Sequence, residues 1–235
     1  MEALILAGGK AERLGDAAGG LPKPLVEVAG RPIVEYQIRR LAQSGVERIL
    51  IACRAGQEER FEVALAGVGA DVVAVGEPEP LGRGGGLRHA AQRRHRTGPM
   101  YALNGDELLD VDFRALLDRH RASGAAATVV VAQVRSPFGV VGLGDGDLIT
   151  GFREAPKLDH WVNAGVYVLG EEALERFPER GDHETSAFPE LAAEGKLAAY
   201  RHEGVWLTVN TPKDLRLAEE FVAAHPDWRP EAAPA

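Results

Sequence analysis

One stretch of the sequence decides the fold: Leu4-Ile5-Leu6-Ala7-Gly8-Gly9-Lys10-Ala11-Glu12-Arg13-Leu14. Its apolar run ends at two glycines, which is typical of a buried strand that passes into a loop at the carboxyl edge of a parallel sheet. Glycines let backbone N–H groups approach phosphate oxygens, and Arg13 with Lys23 of Leu21-Pro22-Lys23-Pro24-Leu25 adds positive charge. The stretch matches neither the Walker nor the dinucleotide glycine pattern. Taken alone, it predicts either an anion-binding loop or an ordinary glycine-rich turn.

Short apolar runs alternate with amphipathic segments along the first half of the chain. Strands are predicted at 3–7, 46–53, 71–75 and 99–103, and helices at 32–44, 87–96 and 111–123. In the first helix Val34, Ile38 and Leu41 share one face. Pro32 suits its first turn and Gly45 its end. This alternation predicts an α/β fold with a doubly wound, mostly parallel sheet.

The second half of the sequence is richer in predicted strands. They span 138–143, 148–153, 161–169, 197–202 and 205–209. The first two flank Gly144-Asp145-Gly146-Asp147, where an Asp-Gly pair predicts a two-residue hairpin turn. Thr211 then caps a helix with Pro212 at its first position. We therefore predict one domain over 1–225, with a small β-rich lobe from its second half, and a flexible tail over 226–235.

The composition is that of an ordinary globular protein. The chain has 235 residues, of which 45% are hydrophobic and 26% charged, so it can bury one sizeable core. No apolar stretch approaches the roughly 20 residues that a membrane span needs. The segment Met1-Glu2-Ala3-Leu4 carries an acid where a signal peptide carries bases, so we expect a cytoplasmic protein.

Charge and cysteine content exclude further classes of protein. The 27 basic and 35 acidic residues give a net charge of −8, which disfavours sequence-independent nucleic-acid binding but allows a small anionic ligand. Cys53 is the single cysteine and lies in a strand-like run, so we expect a buried core thiol. The seven histidines show no spacing typical of metal ligands.

Seven short motifs follow one another along residues 3–217. They are Ala7-Gly8-Gly9 to Arg13-Leu14 with Pro22-Lys23-Pro24-Leu25, Glu77-Pro78-Glu79-Pro80-Leu81-Gly82-Arg83-Gly84-Gly85, Asn104-Gly105-Asp106, Phe138-Gly139-Val140, Phe152-Arg153-Glu154-Ala155-Pro156, Asn163-Ala164-Gly165-Val166-Tyr167, and Trp206-Leu207-Thr208-Val209-Asn210-Thr211-Pro212. Together and in this order they resemble the sugar-1-phosphate nucleotidylyltransferases. Seven ordered motifs are far more specific than any one of them.

The resemblance implies a Rossmann-like nucleotidyltransferase fold and a reaction. A nucleoside triphosphate and a sugar 1-phosphate would give a nucleotide sugar and pyrophosphate. The nucleotide-binding half would span about 1–110 and the sugar-binding half about 111–225. The implied partners are the two substrates, with neither nucleic acid nor membrane, and a homo-oligomer stays open. No β-helix repeat follows residue 225, so we expect the short form of the family.

The resemblance also implies site residues. Arg13, Lys23 and Asp106 would be catalytic, and Asp106 would hold Mg²⁺ or Mn²⁺. Those expected at the nucleotide are Leu6, Ala7, Gly8, Gly9, Leu81, Gly82 and Gly85. Those expected at the sugar are Gly139, Glu154 and Asn163.

The chain departs from the family pattern at three places. Ala11-Glu12 replaces a usual Gly-Thr, Ala155 replaces a usual Lys with Lys157 two residues further on, and Thr208 replaces an Asp that commonly contributes to metal binding. The ending Val209-Asn210-Thr211-Pro212-Lys213-Asp214-Leu215 also resembles transferases with another phosphate acceptor, of molybdopterin or cobinamide type, so this alternative stays open. So does a non-catalytic, nucleotide-sugar-binding regulatory subunit. The base and the sugar are not determined.

Several other polar and aromatic residues are expected to have structural and not catalytic roles. Glu107 would face away from Asp106 if the strand continues, and it would be a poor substitute ligand. Surface positions are expected for Glu184 and Glu190. Trp161 and Trp206 are expected to serve packing.

Overall fold

The computed structural model describes residues 1–9 and 11–228. The strands, numbered in chain order, are β1 (Glu2–Leu6), β2 (Glu27–Val28), β3 (Arg31–Pro32), β4 (Arg48–Arg54), β5 (Asp71–Glu77), β6 (Met100–Asn104), β7 (Glu107–Leu109), β8 (Ala127–Arg135), β9 (Val140–Leu143), β10 (Ile149–Arg153), β11 (Lys157–Leu169), β12 (Leu197–His202) and β13 (Trp206–Thr208). The helices are α1 (Ile33–Gln43), α2 (Glu58–Ala64), α3 (Gly82–Ala91), α4 (Phe113–Ser123), α5 (Glu171–Arg176), α6 (Ala187–Ala193) and α7 (Pro212–Ala224). Short 3₁₀ turns lie at Glu12–Ala18, Lys23–Leu25, Asp145–Asp147 and Pro226–Trp228. None of the helices in the described residues is long and apolar enough to cross a membrane.

A mixed sheet forms the centre of the molecule. Within the described residues it has seven strands in the order β12-β8-β11-β6-β1-β4-β5. Of these strands, β11 alone runs antiparallel to its neighbours, β6 and β8, and the other adjacent pairs are parallel. The mostly parallel α/β sheet predicted from the sequence is confirmed.

Both faces of this sheet are covered by helices. Ala3 and Ile5 of β1 belong to the core cluster that contains α1 and α4 side chains, whereas Leu4 belongs to the cluster that contains α3 and α6 side chains. A strand buried on both faces needs an uninterrupted apolar run instead of alternating polarity. This is why the run at 3–7 has no polar residue.

Helix α3 differs most from its prediction, because it begins at Gly82 instead of 87 and ends at Ala91. Its glycines pack against the segment 178–183. A Cβ on Gly84 would lie 2.8 Å from the backbone nitrogen of His183, and one on Gly85 would lie 2.5 Å from the Glu179 carbonyl oxygen. The Gly181 carbonyl accepts hydrogen bonds from the Gly84 and Gly85 N–H groups at 2.9 and 3.3 Å. Tertiary packing therefore overrides the low helix propensity of glycine.

The hairpin of β9 and β10 has a longer turn than predicted. The Gly144 N–H donates to the Leu148 carbonyl at 2.8 Å, so Asp145–Asp147 form a three-residue loop. Gly146 and Asp147 have φ values of +68° and +59°. Glycine and aspartate tolerate this left-handed region better than most residues.

The capped last helix is confirmed. Thr211 and Asp214 form a reciprocal capping box, in which the Asp214 N–H donates to the Thr211 hydroxyl at 3.3 Å and the Thr211 N–H donates to Asp214 Oδ2 at 2.9 Å. After α7, Trp228 is buried and lies 4.2 Å below the Arg40 guanidinium. The packed domain therefore extends to Trp228, and residues 229–235 of the predicted tail lie outside the described part.

An aromatic cluster encloses a histidine in the second half of the chain. His183 is fully buried, its ring stacks on Phe177 at 4.7 Å, and the edges of Phe188 and Tyr167 complete the cluster. Among the described residues neither ring nitrogen has a hydrogen-bond partner. Burial lowers the pKa of His183 to about 4, although Asp182 opposes this shift.

We expect His183 to make folding stability depend on pH. Its folded pKa lies below the unfolded value of about 6.5, so the unfolded chain binds more protons and stability falls as pH decreases from about 6.5 towards 4. Between pH 7 and pH 5 the loss from this group is about 2 kcal/mol. Urea unfolding at both pH values should show that His183→Phe loses less stability than the wild type. The exposed His160 provides the control, and a His183→Phe loss equal to that of His160→Phe would contradict the assignment.

Candidate active site

Four neighbouring parallel strands end at one edge of the sheet. They bring together their last residues, Leu6 of β1, Arg54 of β4, Glu77 of β5 and Asn104 of β6. A cavity of about 610 Å³ opens there, lined by Leu6, Gly8, Gly9, Arg54, Ala55, Glu77, Pro78, Glu79, Pro80, Gly82 and Arg83. This is the position where ligands bind in open α/β sheets.

The glycine loop after β1 is held against the wall of this larger cavity. Arg54 Nε donates to the Gly8 carbonyl at 2.9 Å. A Cβ on Gly8 would lie 3.3 Å from Glu77 Oε1, so the backbone passes close to this carboxylate. Glu77 is only 9% exposed, and its Oε2 accepts from the Leu81 N–H at 3.1 Å. A fixed acceptor therefore faces a cavity that is also lined by glycine backbone, by apolar groups and by the charged residues Arg54, Glu79 and Arg83.

A smaller cavity of about 190 Å³ adjoins the larger one. It is lined by Leu6, Gly9, Lys23, Pro24, Arg83, Asn104 and Asp106, and it shares Leu6, Gly9 and Arg83 with the larger cavity. Lys23 Nζ forms an ion pair with Asp106 Oδ2 and donates to Asn210 Oδ1 at 2.7 Å. The Lys23 side chain is 12% exposed and that of Asp106 is 28% exposed. The structure thus joins two of the predicted catalytic residues and adds Asn210, which the sequence interpretation did not select.

The predicted nucleotide residues fall into two groups. Leu6, Gly8, Gly9 and Gly82 line the larger cavity. The structure places the other three behind the lining. The Ala7 N–H donates to the Ala52 carbonyl, the Leu81 carbonyl accepts from the Gly181 N–H at 2.7 Å, and Gly85 packs on Glu179.

Arg13 is not brought to the Lys23–Asp106 pair. It lies exposed on the 3₁₀ segment Glu12–Ala18 and belongs to neither cavity wall. Among the described residues it forms no ion pair. Its predicted contact with the phosphates stays a prediction.

Glu107 faces away from the cavities, as its place in the strand predicted. The side chain is 6% exposed, and burial followed by the nearby Asp106 charge raises its pKa well above the usual range. The carboxyl lies against Gly165, where a Cβ would come within 2.7 Å of Glu107 Oε1. Gln37 Nε2 supports this corner from α1 by donating to the Asn104 and Glu107 carbonyls, both at 2.8 Å.

A second polar group surrounds Asn163 and corrects the surface expectation for Glu184. Asn163 Nδ2 donates to Glu184 Oε1 at 2.9 Å, and the Tyr167 hydroxyl donates to the same oxygen at 3.0 Å. Glu184 Oε2 lies 2.9 Å from Arg83 Nη1, and Arg83 also pairs with Asp182. Asn163 and Glu184 line a cavity of about 340 Å³. Glu184 thus connects this cavity to Arg83 in the wall of the larger one.

Gly139 and Glu154 lie together at the β9–β10 hairpin. A Cβ on Gly139 would lie 3.0 Å from Glu154 Oε2 and 2.5 Å from Phe152 Cζ, so a side chain here would require the exposed Phe152 ring to shift. Glu154 is exposed, and Ala155 after it has a φ of +41°. The Glu154 carboxylate is therefore accessible at the end of the hairpin, and the small side chain of Ala155 does not cover it.

Under the reaction that the sequence resemblance implies, Glu154→Ala should raise KM for the sugar phosphate and leave KM for the nucleoside triphosphate nearly unchanged. The reason is its place on the hairpin, outside the residues that line the larger cavity. Steady-state kinetics with each substrate varied in turn would measure both constants. Asp159→Ala, which removes another exposed acid in the same lobe, is the control. Equal changes in both constants would place Glu154 elsewhere.

The cysteine and the clusters of potential metal ligands in the described residues do not indicate a further reactive site. Cys53 is buried as predicted, and burial raises the pKa of its thiol to about 12, with Glu58 adding to the shift. Within residues 1–9 and 11–228, no group of three or more His, Cys, Asp or Glu side chains could hold a metal ion.

Comparison of the sequence with known proteins shows the family to which the chain belongs and several of its relatives. The sequence model of the nucleotidyl transferase family matches residues 2–225, so the chain belongs to that family. Among its relatives are two proteins named mannose-1-phosphate guanyltransferase 2, from Candida glabrata, and mannose-1-phosphate guanyltransferase, from Saccharomyces cerevisiae. Each is 34% identical over 92% of this chain, and the chain spans 63% of each relative.

Solved structures show the same fold. HddC from Yersinia pseudotuberculosis has a TM-score of 0.74 and 22% sequence identity, with 94% of this chain and 98% of that chain covered. The HddC structure complexed with GMP-PN has a TM-score of 0.72 and 21% identity over the same shares.

Proposed function

We propose that this protein transfers a nucleotidyl group from a nucleoside triphosphate to a sugar 1-phosphate, releasing pyrophosphate. The observation that carries the proposal is the position of the Lys23–Asp106 pair. It lies in the smaller cavity, where that cavity adjoins the glycine-lined larger one. A triphosphate whose nucleoside fills the larger cavity would extend its phosphates towards this pair.

The proposed nucleotidyl transfer needs no covalent bond between the protein and a substrate. A sugar phosphate oxygen attacks the α-phosphorus, the bond to the β-phosphate oxygen breaks, and pyrophosphate leaves with the electron pair. Two anions must be aligned and their charge neutralised. Lys23 supplies one preorganised positive charge, and the backbone of Gly8 and Gly9 leaves room for phosphate oxygens.

The smaller cavity also fits a divalent cation. Asp106 Oδ2 and Asn210 Oδ1 both contact the Lys23 ammonium, so two oxygens already face a position that holds positive charge. Carboxylate and amide oxygens are ligands that Mg²⁺ and Mn²⁺ accept. When bound, such an ion would neutralise charge on the phosphate oxygens.

The names of the relatives and the wall of the larger cavity both favour guanosine as the nucleoside. Glu77 lines this cavity from the end of β5 and is nearly buried, whereas the other carboxylate in the wall, Glu79, is exposed. Guanine offers adjacent donors at N1 and its 2-amino group, whereas adenine has no donor at N1. A carboxylate accepts such a donor pair in a bidentate manner. The same relatives suggest mannose 1-phosphate as the sugar substrate.

Glu77→Gln should therefore lower kcat/KM for GTP by about 10- to 100-fold, since a buried charged hydrogen bond is lost, and should narrow the preference for GTP over ATP. The glutamine can still accept from the Leu81 N–H, so the local loop should be retained. Glu79→Gln is the matched control, because Glu79 lies two residues away in the same wall. An unchanged GTP preference in Glu77→Gln would exclude Glu77 as the reader of the base.

Pyrophosphate release tests the proposed function directly. The wild type is incubated with Mg²⁺, each common nucleoside triphosphate and each of a panel of sugar 1-phosphates. We expect the fastest release with GTP and mannose 1-phosphate. Other phosphate acceptors extend the panel to the molybdopterin and cobinamide types. If no pair of triphosphate and acceptor gives more pyrophosphate with the wild type than with Lys23→Ala, the protein is not a transferase for these substrates. It would then be a non-catalytic binding subunit.

A further inference from the structure

The β9–β10 hairpin has four large apolar residues on one side. Phe152 lies opposite Val141 in the antiparallel register, and residues that face each other across two strands share one side of a sheet. Ile149 lies opposite Leu143, which is two residues from Val141 and therefore on the same side. A register shift between Ile149 and Gly151 keeps Ile149 and Phe152 together, although they are three positions apart. We call these four residues the apolar hairpin face.

The other side of the hairpin is small and polar. A Cβ on Gly142 would lie 3.1 Å from Thr150 Oγ1, so the Thr150 hydroxyl projects beside Gly142. Arg153 lies on this side too, opposite the half-buried Val140. Antiparallel sheets with one apolar and one polar side commonly pack the apolar side on a core. The residue pattern therefore indicates that another surface covers the apolar hairpin face.

Within residues 1–9 and 11–228 nothing covers this face. Its four side chains are 41–66% exposed, and all five residues of β10 are exposed. An isolated two-stranded hairpin is at best marginally stable in water, and it gains stability when an apolar side packs on a further layer. The hairpin thus lacks, in a single copy of the chain, the layer that its pattern requires.

We propose that the apolar hairpin face is a contact between two copies of this chain, in which the two hairpins pack face to face and antiparallel about a twofold axis. A contact of this symmetry needs one surface that complements itself. Two identical apolar sides meet this condition. The inference goes beyond the proposed function and does not depend on it.

The exposed apolar area is of the size that a dimer needs. The four side chains leave about 400 Å² accessible, and Phe138 and Leu148, which flank the strands and are 74% and 70% exposed, add about 250 Å². Because about 65% of a homodimer interface is apolar, this area corresponds to an interface of up to about 1,000 Å² per copy. Stable interfaces bury about 800 Å² per partner.

The two ends of the hairpin carry opposite charge, which favours the antiparallel arrangement. Asp145 and Asp147 lie in the exposed turn. The root, where the hairpin joins the rest of the chain, has three exposed bases that outnumber the neighbouring acid Glu154: Arg135, Arg153 and Lys157. An antiparallel pair places each acidic turn beside the basic root of the other copy, whereas a parallel pair would place like charges together.

Sedimentation equilibrium tests the association. We expect the wild type at micromolar concentration to have twice the chain mass of 25.2 kDa. Leu143→Thr/Ile149→Thr removes apolar area from the face, while threonine is a β-branched residue that suits a strand, and it should raise the dissociation constant at least 100-fold. Val63→Thr/Leu217→Thr, which changes two exposed apolar residues on α2 and α7, is the matched control and should associate like the wild type.

A charge exchange tests the orientation of the two hairpins. Asp145→Arg and Arg153→Glu should each weaken association about tenfold, because each brings like charges together. The double variant Asp145→Arg/Arg153→Glu restores opposite charges at both ends and should recover most of the loss. Losses that add in the double variant would overturn the antiparallel arrangement.

Hydrogen–deuterium exchange of the wild type needs no substitution. Above the dissociation constant we expect the amides of residues 140–153 to exchange more slowly than below it, because a covered hairpin opens less often. Protection confined to another surface, or protection of the hairpin that does not depend on concentration, would overturn the proposal. So would a wild type that stays monomeric at about 100 µM, or an equal loss of association in Val63→Thr/Leu217→Thr. None of these measurements contains substrate, so the proposed function is tested separately by pyrophosphate release.

Discussion

Replacing Asp106 by alanine is expected to nearly abolish turnover, with a loss on the order of 10³ or more in kcat. The substitution removes the only carboxylate among the described residues that line the smaller cavity, and it leaves Lys23 without its ion-pair partner. Thr208→Ala should cost much less, because a neutral hydroxyl ligates Mg²⁺ weakly. Pyrophosphate release as a function of Mg²⁺ concentration measures both effects.

The comparison of these variants decides the role of Thr208. Asp145→Ala, in the exposed hairpin turn, controls for loss of a surface charge. Thr208→Asp should tighten metal binding and retain the fold. If Thr208→Ala is as damaging as Asp106→Ala, Thr208 takes part in the chemistry directly.

Lys23→Ala is expected to lower kcat by about 10²–10³, which is typical when a preorganised charge that acts mainly in the transition state is removed. Its ammonium is held in place by Asp106 and Asn210 at the cavity where the phosphates would react. The KM for the triphosphate should change far less than kcat. Steady-state kinetics on the identified substrates measures both constants.

Lys213→Ala provides the control for Lys23→Ala, because Lys213 is exposed in the first turn of α7. Wild-type kcat in Lys23→Ala would exclude the catalytic assignment. An equal loss in Lys213→Ala would point to net charge, and not to the position of Lys23, as the cause.

The sequence was most informative where the chemistry is local. The β1 run and its glycines predicted a buried parallel strand and its loop, because burial of both strand faces leaves a continuous apolar signal. The Thr211 cap was likewise readable from four adjacent residues. Helix α3 was misplaced because its glycines oppose helix formation in isolation, and only the packed segment 178–183 compensates.

The missed site residues share a different cause. Asn210 and Glu184 act through contacts with Lys23 and Asn163, which lie 187 and 21 positions away in the chain. Neither residue belongs to a periodic pattern or to a spacing that indicates a ligand. Lys23 and Asp106 could be proposed because family motifs mark them, but the contact of Lys23 with Asn210 appears only when β13 pairs with β7.

The contact between α3 and the segment 178–183 constrains how this protein can be altered. A side chain at Gly84 or Gly85 would collide with backbone atoms of that segment, and the Gly181 carbonyl occupies the first amides of the helix. The start of α3 and the segment 178–183 are therefore complementary in shape and in hydrogen bonding, although about a hundred residues separate them in the chain. Loop grafts or chimeras that import one of them must import the other, because a foreign segment would either press on the glycines or leave the helix start uncapped.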